Sequence, residues 1–300
     1  MPVYSARVRR TGVTGRAEAR QRGLVAAMKT EIKIDIQAQP DDETCGPTCL
    51  HALYRYYGRD DITLRNVVDG VHRLATGGTL LEILACHALR AGFDATIYTY
   101  HIQVFDPTWF ADDGEVHDPT DVTERLRRQL KLKPEQKRLK IATRAAAEFL
   151  SLGGRLKMED LTPALIKRYL ALRIPIITGL SSTFLYRESR EISPNNVEDD
   201  VRGDPQGHFV MLLGYDGRKR EVLVADPLDD NPPFHTSKYR LSMDRLVNAM
   251  LLGILTHDAN LLIIRPKPGQ ERPLSRRRKT PVKRPARATR PASAGPGEGP

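Results

Sequence analysis

Apolar residues change their period several times along the chain, and each change marks an element. Over 31–36, Ile32, Ile34 and Ile36 alternate with charged residues, the period-two pattern of a strand with one wet face. A polar stretch containing Pro40 follows and reads as a loop. After Cys45-Gly46-Pro47-Thr48 the spacing becomes helical, with Leu50, Leu53, Tyr54 and Tyr57 on one face and Gly58 as the stop. Pro47 suits a first helical turn, where its missing N–H costs nothing. A second helix is predicted over 79–89, closed by Gly92, and a strand over 93–100.

From about 101 to 154 the character shifts. An irregular stretch with Pro107, Trp109 and Pro119 leads into charged amphipathic helices over 122–132 and 134–150, and a further helix covers 158–172. The apolar run 174–180 reads as a buried strand and 187–206 as a polar loop. The run 208–215 is strand-like, and 222–225 pairs with it as a hairpin across Asp216-Gly217. A short helix over 243–252 and a closing strand over 259–264 complete the pattern, with no internal repeat. Helices come first and the hairpin strands late, which predicts an α+β fold with an antiparallel sheet.

Composition adjusts this picture at the ends. The 300 residues are enough for one large domain with a sizeable core. The net charge of +10 suggests an acidic partner until it is located: 265–300 carries a net of +9 and 1–27 a net of +5, which leaves the middle at −4. The fold itself therefore need not bind nucleic acid. One domain is expected over 31–264, with a helical insertion at about 101–154 between disordered basic segments at 1–30 and 265–300. The tail, with Arg276-Arg277-Arg278-Lys279, is expected to be a solvated extension; weak contact with nucleic acid or an anionic surface is its alternative role.

Three cysteines, Cys45, Cys49 and Cys86, give no disulfide framework and point to a reducing compartment. No apolar run approaches the ~18–20 residues of a membrane helix, and the arginine-containing N-terminus lacks the apolar stretch of a secretory signal. A cytoplasmic protein is expected.

The chemistry converges on Cys45. A thiol is a strong nucleophile only as thiolate, and two devices lower its pKa from about 8.5: the positive end of a helix and a neighbouring imidazolium. Cys45 sits at a loop-to-helix junction, where the first device operates, and Gly46 would let the backbone turn tightly and keep the sulfur approachable. His208 stands at the mouth of the strand Phe209–Leu213 and can supply the second. Asp226 ends the partner strand eighteen residues later, beside His208 across the hairpin, where it can hold the imidazole in one tautomer. Attack on a carbonyl also needs oxyanion donors, and the Gln39 side chain and the Cys45 N–H can provide them.

The segment Gln39-Pro40-Asp41-Asp42-Glu43-Thr44-Cys45-Gly46-Pro47-Thr48-Cys49-Leu50, followed by Tyr56-Tyr57-Gly58, resembles the start of the bacteriocin-processing, double-glycine-leader cysteine peptidases. Gly78-Thr79-Leu80-Leu81-Glu82, Ala91-Gly92-Phe93, Gly207-His208-Phe209-Val210 and Ala225-Asp226-Pro227 continue the likeness in order, over about half of the chain. The resemblance implies a papain-like fold with Cys45, His208 and Asp226 as a triad and Gln39 in the oxyanion hole. Its transporter-linked members often place an Asp before the nucleophile, where this chain has Thr44, and they continue into a membrane transporter that is absent here. Double-glycine specificity is therefore not carried over.

The expected activity is hydrolysis of a peptide or protein substrate through a Cys45 thioester, with no cofactor. Amide-forming acyl transfer on the same triad, hydrolysis of small amides, and a non-catalytic peptide-binding pseudopeptidase remain open. The insertion is expected to shape the substrate cleft. Cys45, Cys49 and His51 invite a zinc reading, but structural zinc wants four ligands and no second pair appears. Cys86 and His87 read as packing residues, and Trp109 with Phe105 and Phe110 as a local cluster, with lining of a substrate cleft as the alternative role of Trp109. Ser181-Ser182 lacks a nucleophile elbow.

Overall fold

The computed structural model describes residues 29–269, apart from 75–76, 134–136, 193–195 and 257–258. Most of both basic ends, 1–28 and 270–300, lies outside the described residues, as does any role expected of the tail.

Strand β1 (Lys29–Glu31) opens the ladder by pairing antiparallel with residues 214–216. Lys29 and Thr30, expected outside the domain, therefore belong to its sheet. Pairing stops short of the expected 31–36 strand, yet the alternation holds, with Ile32 and Ile34 buried and Lys33 and Asp35 exposed. Helix α1 (Cys45–Tyr56) is buried from Cys45 through Tyr54, so the helix runs through the interior. Gly46 lies within its first turn, and a Cβ there would meet Leu84 Cδ1 at 2.9 Å and Phe209 Cδ2 at 3.1 Å. Close packing, rather than a tight turn, is what this glycine provides.

A short helix α2 (Leu64–Gly70), absent from the sequence expectation, starts with a capping box between Thr63 and Asn66. Helix α3 (Leu81–Arg90) leads into β2 (Phe93–Thr99). Between β2 and β3 (Arg155–Lys157) lie helices α4 (Pro119–Leu132) and α5 (Lys137–Ser151), with α5 packed against α3. Helix α6 (Pro163–Ala171) starts later than the pattern suggested, because Thr162 caps it by accepting from the Leu165 amide and Pro163 fills its first turn. Residues 155–157, just before the expected helix, join the sheet. Strand β4 (Ile176–Ser181) follows, then a two-stranded ribbon of β5 (Glu191–Ile192) and β6 (Val197–Glu198) inside the expected polar loop. Strands β7 (Gly207–Asp216), β8 (Glu221–Ala225) and β9 (Lys238–Ser242), helix α7 (Met243–Leu252) and β10 (Asn260–Pro266) complete the chain.

The main sheet runs β3-β2-β10-β4-β7-β8-β9, with β1 also on β7. Its described pairings are antiparallel except β2 with β3. Strand parity shows which helices cover which face. Phe93 stacks on Tyr54 of α1 with ring centroids 5.0 Å apart, whereas Tyr98, an odd number of residues on, hydrogen-bonds Tyr169 of α6 at 2.6 Å. Helices therefore lie on both faces of a largely antiparallel sheet, and α1 is held between that sheet, α2 and α3. Each fully buried Leu or Phe in this sandwich contributes ~1.5–3 kcal/mol relative to exposure.

Candidate active site

Cys45 is the first residue of α1, and the start of that helix is left open. The Thr44 hydroxyl is spent on the preceding loop, donating to the Asp41 carbonyl at 3.0 Å and accepting from the Asp41 amide at 3.2 Å. No side chain caps α1 and no acidic residue occupies its first turn. The unsatisfied N–H groups and positive dipole end of the helix thus surround the Cys45 sulfur and backbone.

His208 is the second residue of β7, and Asp226 follows directly on β8. The hairpin pairs Met211 with Ala225, which brings the two side chains to one end of the sheet. His208 Nε2 lies 2.8 Å from Asp226 Oδ1. That bond engages Nε2, and the Cys45 sulfur lies close enough to the ring to favour its charged form. Burial favours the neutral imidazole, but the Asp226 carboxylate and then Cys45 outweigh it, so His208 is held well above its ordinary pKa. Asp226 behaves in the complementary way. Burial opposes its charge, yet His208 and the surrounding donors hold the carboxyl below its ordinary value.

Two of those donors are tyrosines that the sequence pattern did not single out. The hydroxyls of Tyr186 and Tyr239 both donate to Asp226 Oδ2, at 2.6 and 2.8 Å. The Leu228 amide donates to Oδ1 at 3.0 Å. Tyr186 belongs to a π-helical turn, Thr183–Arg187, and Tyr239 to β9. Strand β9 had a signal in the alternation of Lys238, Arg240 and Ser242 with Tyr239 and Leu241; the turn had none.

Gln39 is tied to the same region through its backbone, which donates to the Pro227 carbonyl at 2.9 Å. Its side chain is turned onto its own loop: Nε2 donates to the Asp41 carbonyl at 3.0 Å, and Oε1 is buried with no partner. The structure thus joins His208 to Asp226 directly, sets Cys45 within electrostatic reach of the imidazole, and brings the Gln39 backbone, but not its side chain, to the same region. On the other side, Glu191 and Glu198 stand directly opposite each other in the β5–β6 ribbon. Burial and then these two neighbours push the Glu188 carboxyl up, against the pull of His208. Glu188, with this acidic ribbon beside it, therefore lies within electrostatic reach of the imidazole.

Residues set aside as packing groups have ordinary interior roles. Cys49 points its thiol at the Phe209 carbonyl, 3.4 Å away, and burial pushes its pKa up. Cys86 is buried, and His87 Nδ1 lies 2.8 Å from the Tyr54 hydroxyl. Phe105 and Phe110 meet edge to face at 6.4 Å, while Trp109 carries the Arg125 guanidinium at 5.9 Å.

No family model matches the chain, and no curated protein does. Three solved structures show partial likeness in shape. One is described as a C39-like peptidase from Bacillus anthracis, 12% identical, covering 79% of this chain and 98% of its own, at a TM-score of 0.39. The peptidase domain of Streptococcus ComA, a bifunctional ABC transporter of a quorum-sensing pathway, is 13% identical, with 77% and 98% covered and a TM-score of 0.35. Xylellain, a cysteine protease from Xylella fastidiosa, is 14% identical, with 81% and 88% covered and a TM-score of 0.35. At TM-scores this low, what the site does has to follow from its own atoms.

Among the described residues, no helix is long and apolar enough to cross a membrane.

Proposed function

We propose that the chain is a papain-like cysteine peptidase that uses Cys45 as nucleophile, His208 as base and acid, and Asp226 as the residue orienting His208. The observation that carries this reading is the His208–Asp226 pair, 2.8 Å apart, set beside a cysteine at an uncapped helix start. A buried imidazole held by a carboxylate favours the imidazolium, and an imidazolium beside a thiol favours the thiolate.

In the first half-reaction the Cys45 thiolate adds to the scissile carbonyl and the electron pair moves onto oxygen. The Cys45 N–H and the Gln39 amide, once swung away from Asp41, donate to that oxyanion. The C–N bond then breaks, the imidazolium proton passes to the leaving amine, and a Cys45 thioester remains. Water, losing a proton to His208, adds to the thioester, and the returning thiolate leaves with the acid product released. Peptides or proteins are the substrate class.

The test is the rate of Cys45 alkylation by iodoacetamide as a function of pH, in the parent and in His208→Ala. A thiolate–imidazolium pair gives fast alkylation at about pH 6 that falls by roughly two orders of magnitude in the variant, the ratio between a populated thiolate and a thiol of pKa about 8.5. A parent protein that reacts like a free thiol, indifferent to His208, would remove the peptidase reading.

A further inference from the structure

We infer that Tyr186 and Tyr239 are positioning residues of this site, two hydroxyls that hold the Asp226 carboxylate ionised and aimed so that His208 keeps its proton. The inference rests on the peptidase reading and adds a pair of residues that act through Asp226.

Asp226 is fully buried, at 0% exposure. A carboxylate has about four lone-pair sites, and here all four are matched. Oδ1 accepts from His208 Nε2 at 2.8 Å and from the Leu228 amide at 3.0 Å, and Oδ2 from Tyr186 at 2.6 Å and Tyr239 at 2.8 Å. Any rotation of the carboxylate that frees one oxygen breaks bonds on both. The two phenols are neutral donors at any working pH, because burial and then Asp226 push both well above the ordinary tyrosine range. They can only donate to Asp226, and a protonated carboxyl would have to give up one of these bonds.

Each tyrosine is itself fixed by a separate device. The Tyr239 ring stacks on Phe234 at 3.7 Å with planes 3° apart. Tyr186 sits in the turn whose carbonyls at Phe184 and Leu185 accept from Arg245 at 2.9 and 2.6 Å. The Tyr186 ring also lies 5.9 Å from the imidazole of His208. Side chains that merely filled space would not converge two hydroxyls on one oxygen from a turn and a strand far apart in sequence.

Without these donors the carboxylate takes up a proton at higher pH, and the imidazolium then loses its counter-charge. The experiment measures Cys45 alkylation against pH, together with melting temperature, for Tyr186→Phe, Tyr239→Phe and the double variant. Each is made in the parent and in Asp226→Asn. Either single substitution in the parent should move the acid edge of alkylation up by about one pH unit, a tenfold rise in Asp226 proton affinity. The double variant should move it further, and in Asp226→Asn the same changes should leave the edge where it was. If melting temperatures fall but the parent edge stays in place, the tyrosines only pack and the inference is wrong, while the peptidase reading survives. A parent that shows no thiolate–imidazolium edge at all overturns both. Should the double variant not fold, the single variants decide the question.

Discussion

Among the described residues two carboxylates lie deep in the protein, and they are held in opposite ways. Asp226 is ringed by four donors and kept below its ordinary pKa. Glu82, in the first turn of α3, is 1% exposed, and neither of its oxygens has a hydrogen-bond partner. Burial pushes it up to about 7, with only its own backbone amide acting the other way. Burial alone would neutralise both groups. What separates them is whether the fold supplies donors, and it does so only where a charge is useful to a neighbouring imidazole.

Removing the Asp226 charge should have the largest effect. Asp226→Leu strands two tyrosine hydroxyls and a buried imidazole, and should cost about 3–5 kcal/mol near neutral pH by denaturant unfolding. Because the folded pKa of Asp226 is depressed, its contribution is present above the unfolded value of about 3.9 and is lost as pH falls through the lower folded one. The deficit of the variant should therefore shrink in acid. A deficit independent of pH would mean that the carboxylate acts as packing.

Glu82→Gln should do the reverse. A raised folded pKa makes the parent lose stability as pH climbs from the unfolded value to about 7. The variant should be more stable by ~3 kcal/mol at about pH 8 and indistinguishable at about pH 4. No gain at alkaline pH would show that Glu82 finds a partner in solution. The smallest effect belongs to the surface. Asp121→Asn removes a half-exposed i,i+4 pair with Arg125 at 2.7 Å and should change stability by less than about 0.5 kcal/mol.

The same contrast separates what the chain discloses locally from what it does not. The helix opening at Cys45, the strand opening at His208 and the hairpin that returns Asp226 to it each have a short-range signature: a Gly-Pro start, an apolar run and a turn. Tyr186 and Tyr239 have none, because they reach Asp226 across 40 and 13 residues. Which tyrosines meet a given carboxylate is fixed only when the π-helical turn and β9 dock. The burial of Glu82 has no local signature for a related reason. An acid in a first helical turn ordinarily faces solvent and favours the dipole, but α3 is covered on one side by α5, where Cys86, one turn after Glu82, points its thiol at the Ala145 carbonyl. Strand β9 was legible in principle, but only over five residues.

The outer strands of the sheet carry a consequence for the protein in a crowded solution. A bare strand edge is a template on which another chain can add. Here the edges are short, three residues in β3 and five in β9, and each carries two cations: Arg155 and Lys157 on one, Lys238 and Arg240 on the other. Strand β3 is further occupied by a bridge to Glu115. The inner strand β7 offers no opening, since β1 takes over its flank where β4 ends. Three of these cations are already paired with carboxylates, Lys157 with Glu115, Lys238 with Asp35 and Arg240 with Glu31. An incoming strand would have to displace ion pairs on an edge only three or five residues long, so the sheet guards its own boundaries against runaway self-association.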